Sequence, residues 1–242
     1  LGGLKVEGPI LEDSLKSFVG MYPIPLVYGL TCGELAMMIN GEGWLATSAK
    51  ADLTVVRMEG WTRSMLWDDT GLSWIRPSPN IPTPVTALVY PGTCLIEATN
   101  LSEGRGTDAP FLTIGAPFVE AGKLVNAMQA LNLLGVEFSV TGFTPSSSEY
   151  SGQYCYGIRI QVTDVRAFHP VFTGLALFQQ CSVLLQDSLK VREISFARLL
   201  GNGQALKRLR QKDAPEMLMG EWRSDLERFK QLSTRYWLYR DN

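Results

Sequence analysis

The chain has 242 residues, 45% of them apolar, 10% aromatic and 19% charged. That balance supports a folded domain with a sizeable core and excludes a largely disordered chain. The net charge of −2 argues against nucleic acid as the main partner, and no apolar run reaches the ~20 residues that a membrane helix needs.

Thr31-Cys32-Gly33-Glu34 has capping-box spacing and predicts a helix to about Asn40, ended by Gly41-Glu42-Gly43. Leu53 to Met58 reads as a strand, Trp61 to Ile75 as an aromatic-rich irregular stretch, and the four prolines between Arg76 and Pro84 as an ordered loop. Pro91 suits a first helical position, which predicts a short helix over 92–98. A glycine-punctuated loop over 100–107 and a short strand over 111–114 follow. Leu124, Met128, Leu131 and Leu134 recur at helical spacing up to Gly135. Strands are predicted over 136–140 and 155–162, the second with clean alternation of Tyr156, Ile158, Ile160 and Val162. Helices are predicted over 170–185, 195–200, 205–210 and 216–239. The last carries Leu218, Trp222, Leu226, Phe229 and Tyr236 on one stripe. Strands and helices without βαβ alternation indicate an α/β domain of α+β character rather than a doubly wound sheet.

Charge is uneven: residues 1–189 sum to −7 and residues 190–242 to +5, which reads as a solvated basic helical face. The four cysteines contain no CxxC pair, and the single histidine, His169, excludes a two-histidine metal centre. At the junction Phe168-His169-Pro170, that histidine reads as structural.

The densest polar segment is Glu97 to Thr107, where Glu97, Asn100, Glu103, Arg105 and Thr107 crowd into eleven residues. Glycines flank Arg105 and let a ligand approach the backbone closely. The guanidinium is a planar fork suited to a carboxylate or phosphate. The plain alternative is an exposed Glu103–Arg105 ion pair, which contributes at most about 1 kcal/mol. Glu7, before Gly8-Pro9, reads as a turn residue or a functional carboxylate. Thr31 and Glu34 are accounted for by the helix cap.

The segments Leu1-Gly2-Gly3, Val6-Glu7-Gly8-Pro9, Ser17-Phe18-Val19-Gly20, Gly29 to Ala36, Pro77 to Thr83, Tyr90 to Cys94, Arg105-Gly106-Thr107 and Ile114 to Pro117 together resemble the exo-β-N-acetylmuramidase (NamZ, or YbbC-like) family. The resemblance covers essentially the whole chain. It implies two domains, a Rossmann-like N-terminal one and a C-terminal α/β one, with the active site in the cleft between them. On that pattern residues 1–14 close the first domain or its linker, and residues 15–242 form the second. The rest of the first domain, with a Glu-His-Gly motif, is expected to be absent. The chain departs from the family pattern at Val27-Tyr28, where many members carry Arg-His.

The resemblance implies a glycoside hydrolase that removes N-acetylmuramic acid from the non-reducing end of peptidoglycan fragments. This portion alone would be weakly active or inactive. It implies Glu7, Glu97 and Glu103 as catalytic carboxylates, with Arg105, Asn100, Asn80 and Thr107 on the substrate. It implies no metal or organic cofactor, no nucleic-acid or membrane partner, and a periplasmic or secreted location. The competing expectation is a non-catalytic module that binds muropeptide or carbohydrate, or that serves as architecture.

Overall fold

A computed structural model describes residues 3–47 and 49–240. The first two residues of the Leu1-Gly2-Gly3 motif therefore lie outside the described residues. The architecture is an α/β mixture: seven α-helices with one two-stranded and one three-stranded sheet among the described residues, every strand pair antiparallel.

The N-terminal hairpin-like pair joins β1 (Glu7–Ile10) to β2 (Pro25–Val27). Glu7 is opposite Val27 and Ile10 opposite Pro25, so β1 holds one extra residue, a bulge at Gly8-Pro9. Gly8 has φ +93°, and a β-carbon there would lie 3.0 Å from Leu26 Cβ. The bulge thus requires glycine, and it sets the direction in which the neighbouring Glu7 points.

Helix α1 (Cys32–Gly41) begins with the predicted capping box: Thr31 Oγ1 accepts from Glu34 N–H, and Glu34 Oε2 accepts from Thr31 N–H at 2.8 Å. The predicted strand over 53–58 is absent. This stretch joins no sheet, and Val56 is 90% exposed; β-favouring residues alone build no strand where no partner edge is available. The expectation of a helix over 92–98 is also corrected. Helix α2 is Pro84–Thr93, capped by Thr83 with Pro84 in its first turn, and Cys94–Ala98 continues as a 3-10 turn. The proline that starts the helix is Pro84, and Pro91 sits within it.

The three-stranded sheet has the order β3 (Thr113–Ala116), β5 (Cys155–Val162), β4 (Val136–Phe143). Helix α3 (Ala121–Ala130) packs against β4 and stops before Leu131. Asn132 and Gly135 take positive φ there, so Leu134 is left 70% exposed rather than on the buried stripe. Helix α4 (Pro170–Leu185) is the buried centre of the core, crossed by α2. Gly92 and Gly174 meet at that crossing, and a β-carbon on Gly92 would lie 1.9 Å from Pro170 O. Helices α5 (Glu193–Leu200), α6 (Ala205–Arg210) and α7 (Pro215–Ser233) complete the fold, and α7 buries the predicted Leu218, Trp222, Leu226 and Phe229 stripe. Beyond α7 the chain leaves the helix through a 3-10 turn at Thr234–Tyr236, where the sequence pattern predicts continuous helix.

Candidate functional site

The sequence-selected side chains fall into two clusters. No hydrogen bond or ion pair joins the clusters among the described residues. The first is at the N-terminus of α4. Pro170 occupies the first helical position, and His169 at the N-cap makes no side-chain cap. The free N–H groups of the first turn are met from another element: Glu7 Oε1 accepts from Phe172 N–H at 2.7 Å. Glu7 is buried, and its second oxygen, Oε2, has no hydrogen-bond partner. That oxygen lies 3.8 Å from His169 Nδ1. Burial pushes the Glu7 carboxyl up to about 7, against the pull of the Phe172 N–H and of Lys5. Lys5 is two residues before Glu7, and its ammonium donates to the carbonyls of Val165 (3.1 Å), Arg166 (3.2 Å) and Phe168. Burial lowers the pKa of Lys5, and burial followed by Lys5 lowers that of His169.

The second cluster is centred on Arg105. Gly104 and Gly106 both take φ +78°; a β-carbon would lie 2.7 Å from Thr113 O at the first and 2.5 Å from Ser147 N at the second. The glycines therefore create the loop conformation that presents Arg105. Its Nη2 lies 3.0 Å from Glu97 Oε2, and its Nε 3.3 Å from Glu103 Oε1. The guanidinium lies over the Phe111 ring at 5.2 Å, and Tyr90 meets that ring edge-on at 4.8 Å. Burial raises the Glu103 carboxyl above the usual carboxylate range and pushes the Tyr90 hydroxyl up to about 12. Arg105 Nε and Glu97 Oε1 are buried atoms without a hydrogen bond, although the side chains that carry them are 33% and 23% exposed.

Of the remaining candidates, Asn100 and Thr107 bond their side chains to backbone. The Asn100 side chain donates to Ser188 O at 3.0 Å and accepts from Lys190 N–H at 2.8 Å, tying the loop to the segment after α4. Thr107 Oγ1 donates to Gly104 O at 2.6 Å and accepts from Ala109 N–H at 3.1 Å. Asn80 lies in the loop before α2, where its N–H donates to Ser78 Oγ at 3.3 Å.

Sequence reasoning passed over Lys5, Tyr90, Phe111 and Arg63, and took His169 as structural. Lys5 carries only a weak signal, its place two residues before Glu7. Tyr90, Phe111 and Arg63 carry none, because tertiary packing alone brings them to their partners. Among the described residues no group of His, Cys, Asp and Glu is placed to hold a metal ion, and no helix is long and apolar enough to cross a membrane.

Residues 88–239 match the family described as Exo-beta-N-acetylmuramidase NamZ, C-terminal, and residues 1–85 match Exo-beta-N-acetylmuramidase NamZ, N-terminal. The two matches meet at the first turn of α2. The chain is 42% identical over 239 residues to the Peptidoglycan beta-N-acetylmuramidase NamZ of Bacillus subtilis (strain 168), an overlap of 98% of this chain and 57% of that protein. Two crystal structures of DUF1343 family proteins from Bacteroides fragilis NCTC 9343 are similar. One has a TM-score of 0.91 at 34% identity, covering 99% of this chain and 64% of that one. The other has a TM-score of 0.78 at 31% identity, covering 100% of this chain and 64% of that one. The chain thus spans about three fifths of the length of these relatives.

Proposed function

The chain belongs to the exo-β-N-acetylmuramidase NamZ family, and on that premise we propose that it forms part of a glycoside hydrolase that releases N-acetylmuramic acid from the non-reducing end of peptidoglycan fragments. The cleft would be shared with a Rossmann-like domain of the same protein. A peptidoglycan substrate goes with a periplasmic or secreted location and a role in cell-wall recycling. The reading requires no metal and no organic cofactor.

The observation that carries it is the state of Glu7. Glycoside hydrolysis needs one carboxyl that is still protonated near neutral pH, to donate to the leaving oxygen, and a second carboxylate across the scissile bond. Glu7 fits the first role. Its Oε1 is fixed by the Phe172 N–H, its Oε2 is uncommitted, and burial holds its titration near 7. Glu97 and Glu103 are the other carboxylates of this reading. Arg105 stands between Glu97 and Glu103, and its partly exposed guanidinium suits the lactyl carboxylate of muramic acid.

The test is release of a chromogen from an N-acetylmuramic acid β-glycoside by the full-length protein. Glu7→Gln should lower kcat by about 100-fold or more. Residues 1–242 alone should show little or no turnover. No release by the folded full-length protein would overturn the reading, and sugar binding without turnover would favour the non-catalytic module instead.

A further inference from the structure

Glu7 is only 2% exposed, so its proton needs a path to any substrate. The unpartnered Oε2 faces one side chain that reaches the surface. His169 Nδ1 is 3.8 Å away, and the imidazole is 51% exposed. The ring lies on the wall of a groove of about 420 Å³ between the start of α4 and α7.

We propose that His169 is a further catalytic residue that relays the Glu7 proton to substrate in that groove, Nδ1 turned to the buried Oε2 and Nε2 turned to the groove. The inference rests on the reading of Glu7 as proton donor. The distance exceeds a hydrogen bond, and a small rotation of the half-exposed ring closes it; such contacts commonly tighten only when substrate is bound. The step balances as a tautomer switch. The neutral imidazole gives its Nε2 proton to the leaving oxygen as the glycosidic C–O bond breaks, while Nδ1 takes the Glu7 proton. The C–O electron pair leaves with that oxygen, and the glycosyl carbon takes its new oxygen from water, whose proton passes to the second carboxylate; the products are a Glu7 carboxylate, a neutral Nδ1–H imidazole and two sugar hydroxyls.

The charges around the pair are few. Lys5 approaches from the chain before β1, its ammonium bound to carbonyls of the 165–168 turn and attracted to Asp164. From α7, Glu216, Arg223, Glu227 and Lys230 line the groove, and Glu227 is already paired with Lys230 at 2.9 Å. Burial moves the carboxyl up and the imidazole down from their ordinary values. With Oε2 and Nδ1 3.8 Å apart, a proton taken up by either group is felt by the other and belongs to the pair.

Because the chain has one histidine, the imidazole ¹⁵N spectrum reports this ring alone. The wild-type ring should titrate in two steps, the upper one at the pH at which the Glu7 carboxyl ¹³C signal moves. Above that pH the neutral ring should be the Nδ1–H tautomer. In Glu7→Gln, which keeps an oxygen for Phe172 N–H, the upper step should vanish and leave one step about 0.5 unit or more lower. A one-step titration with an Nε2–H tautomer, unchanged in Glu7→Gln, would overturn the proposal. If that variant does not fold, the wild-type carboxyl and imidazole curves decide alone: a shared step supports the pair and independent steps refute it. Absence of muramidase turnover would remove the function proposed above while leaving this spectroscopic result standing.

Discussion

Two of the glutamate–arginine clusters, Glu34 with Arg63 and the one around Arg105, use the same chemistry in opposite ways. Glu34 and Arg63 are 0% and 1% exposed, and every side-chain nitrogen and oxygen of the two has a hydrogen-bond partner. Glu34 accepts from Arg63, from Thr31 N–H and from Leu238 N–H, while Arg63 donates to Gly29 O at 2.8 Å and Tyr239 O at 3.3 Å. The guanidinium also lies 4.3 Å from the Trp237 ring centroid. Burial alone would raise the Glu34 carboxyl, but these hydrogen bonds together bring it below the usual value. The pair clasps the C-terminal segment onto α1. Around Arg105 the guanidinium and Glu97 are partly exposed while Glu103 is buried. A fully buried, fully hydrogen-bonded pair fixes a fold, whereas a guanidinium that reaches the surface can still bind a ligand.

The largest effect that would sharpen this contrast comes from Arg63→Leu. Leaving Glu34 buried without its cation should cost about 3–5 kcal/mol and lower Tm by roughly 10 °C, measured by denaturant and thermal unfolding. Adding Glu34→Leu should recover much of that loss; a double variant as unstable as the single one would show that the pair itself is not the clasp.

Glu7 stands between the two cases, buried but with only one oxygen satisfied. Its folded pKa lies above its unfolded one, so between about pH 4.5 and 7 the native state binds more protons and stability falls as pH rises. The destabilisation is absent below 4.5, complete above 7, and amounts to at most about 3 kcal/mol. Glu7→Gln should remove this slope and make the protein more stable than wild type at pH 8, as urea unfolding at pH 5 and pH 8 would show. An unchanged slope would mean that the carboxyl is not desolvated.

The smallest expected loss of stability is that of Arg105→Ala, about 1 kcal/mol or less for a partly exposed pair, with a tenfold or greater loss of affinity for N-acetylmuramic acid by calorimetry. A large fall in Tm with unchanged sugar binding would place Arg105 with Arg63 as a structural cation and abolish the contrast.

Local signals predicted the parts of the fold that depend on neighbouring residues. The Thr31/Glu34 capping box, the alternation of β5 and the proline-initiated α4 all appear at the expected positions. The 53–58 stretch failed because a strand needs a partner that its own residues cannot supply. Helix α2 was displaced because the chain offers two prolines suited to a helix start, and Thr83 caps the first. At the candidate site, the glycines beside Arg105 announced a special loop, and the positive φ values of Gly104 and Gly106 match it.

The amino-acid order was enough to indicate the α/β class, most helix starts and the polar richness of the 97–107 loop. These rest on contacts within a few residues: caps, alternation and glycine conformations. Long-range packing alone seats Glu7 on the first turn of α4, 165 residues away in the chain, and brings Arg63 to Glu34 and Tyr239. Desolvation and through-space hydrogen bonding set the titration of a carboxyl, and both are properties of the folded interior that no stretch of sequence holds by itself.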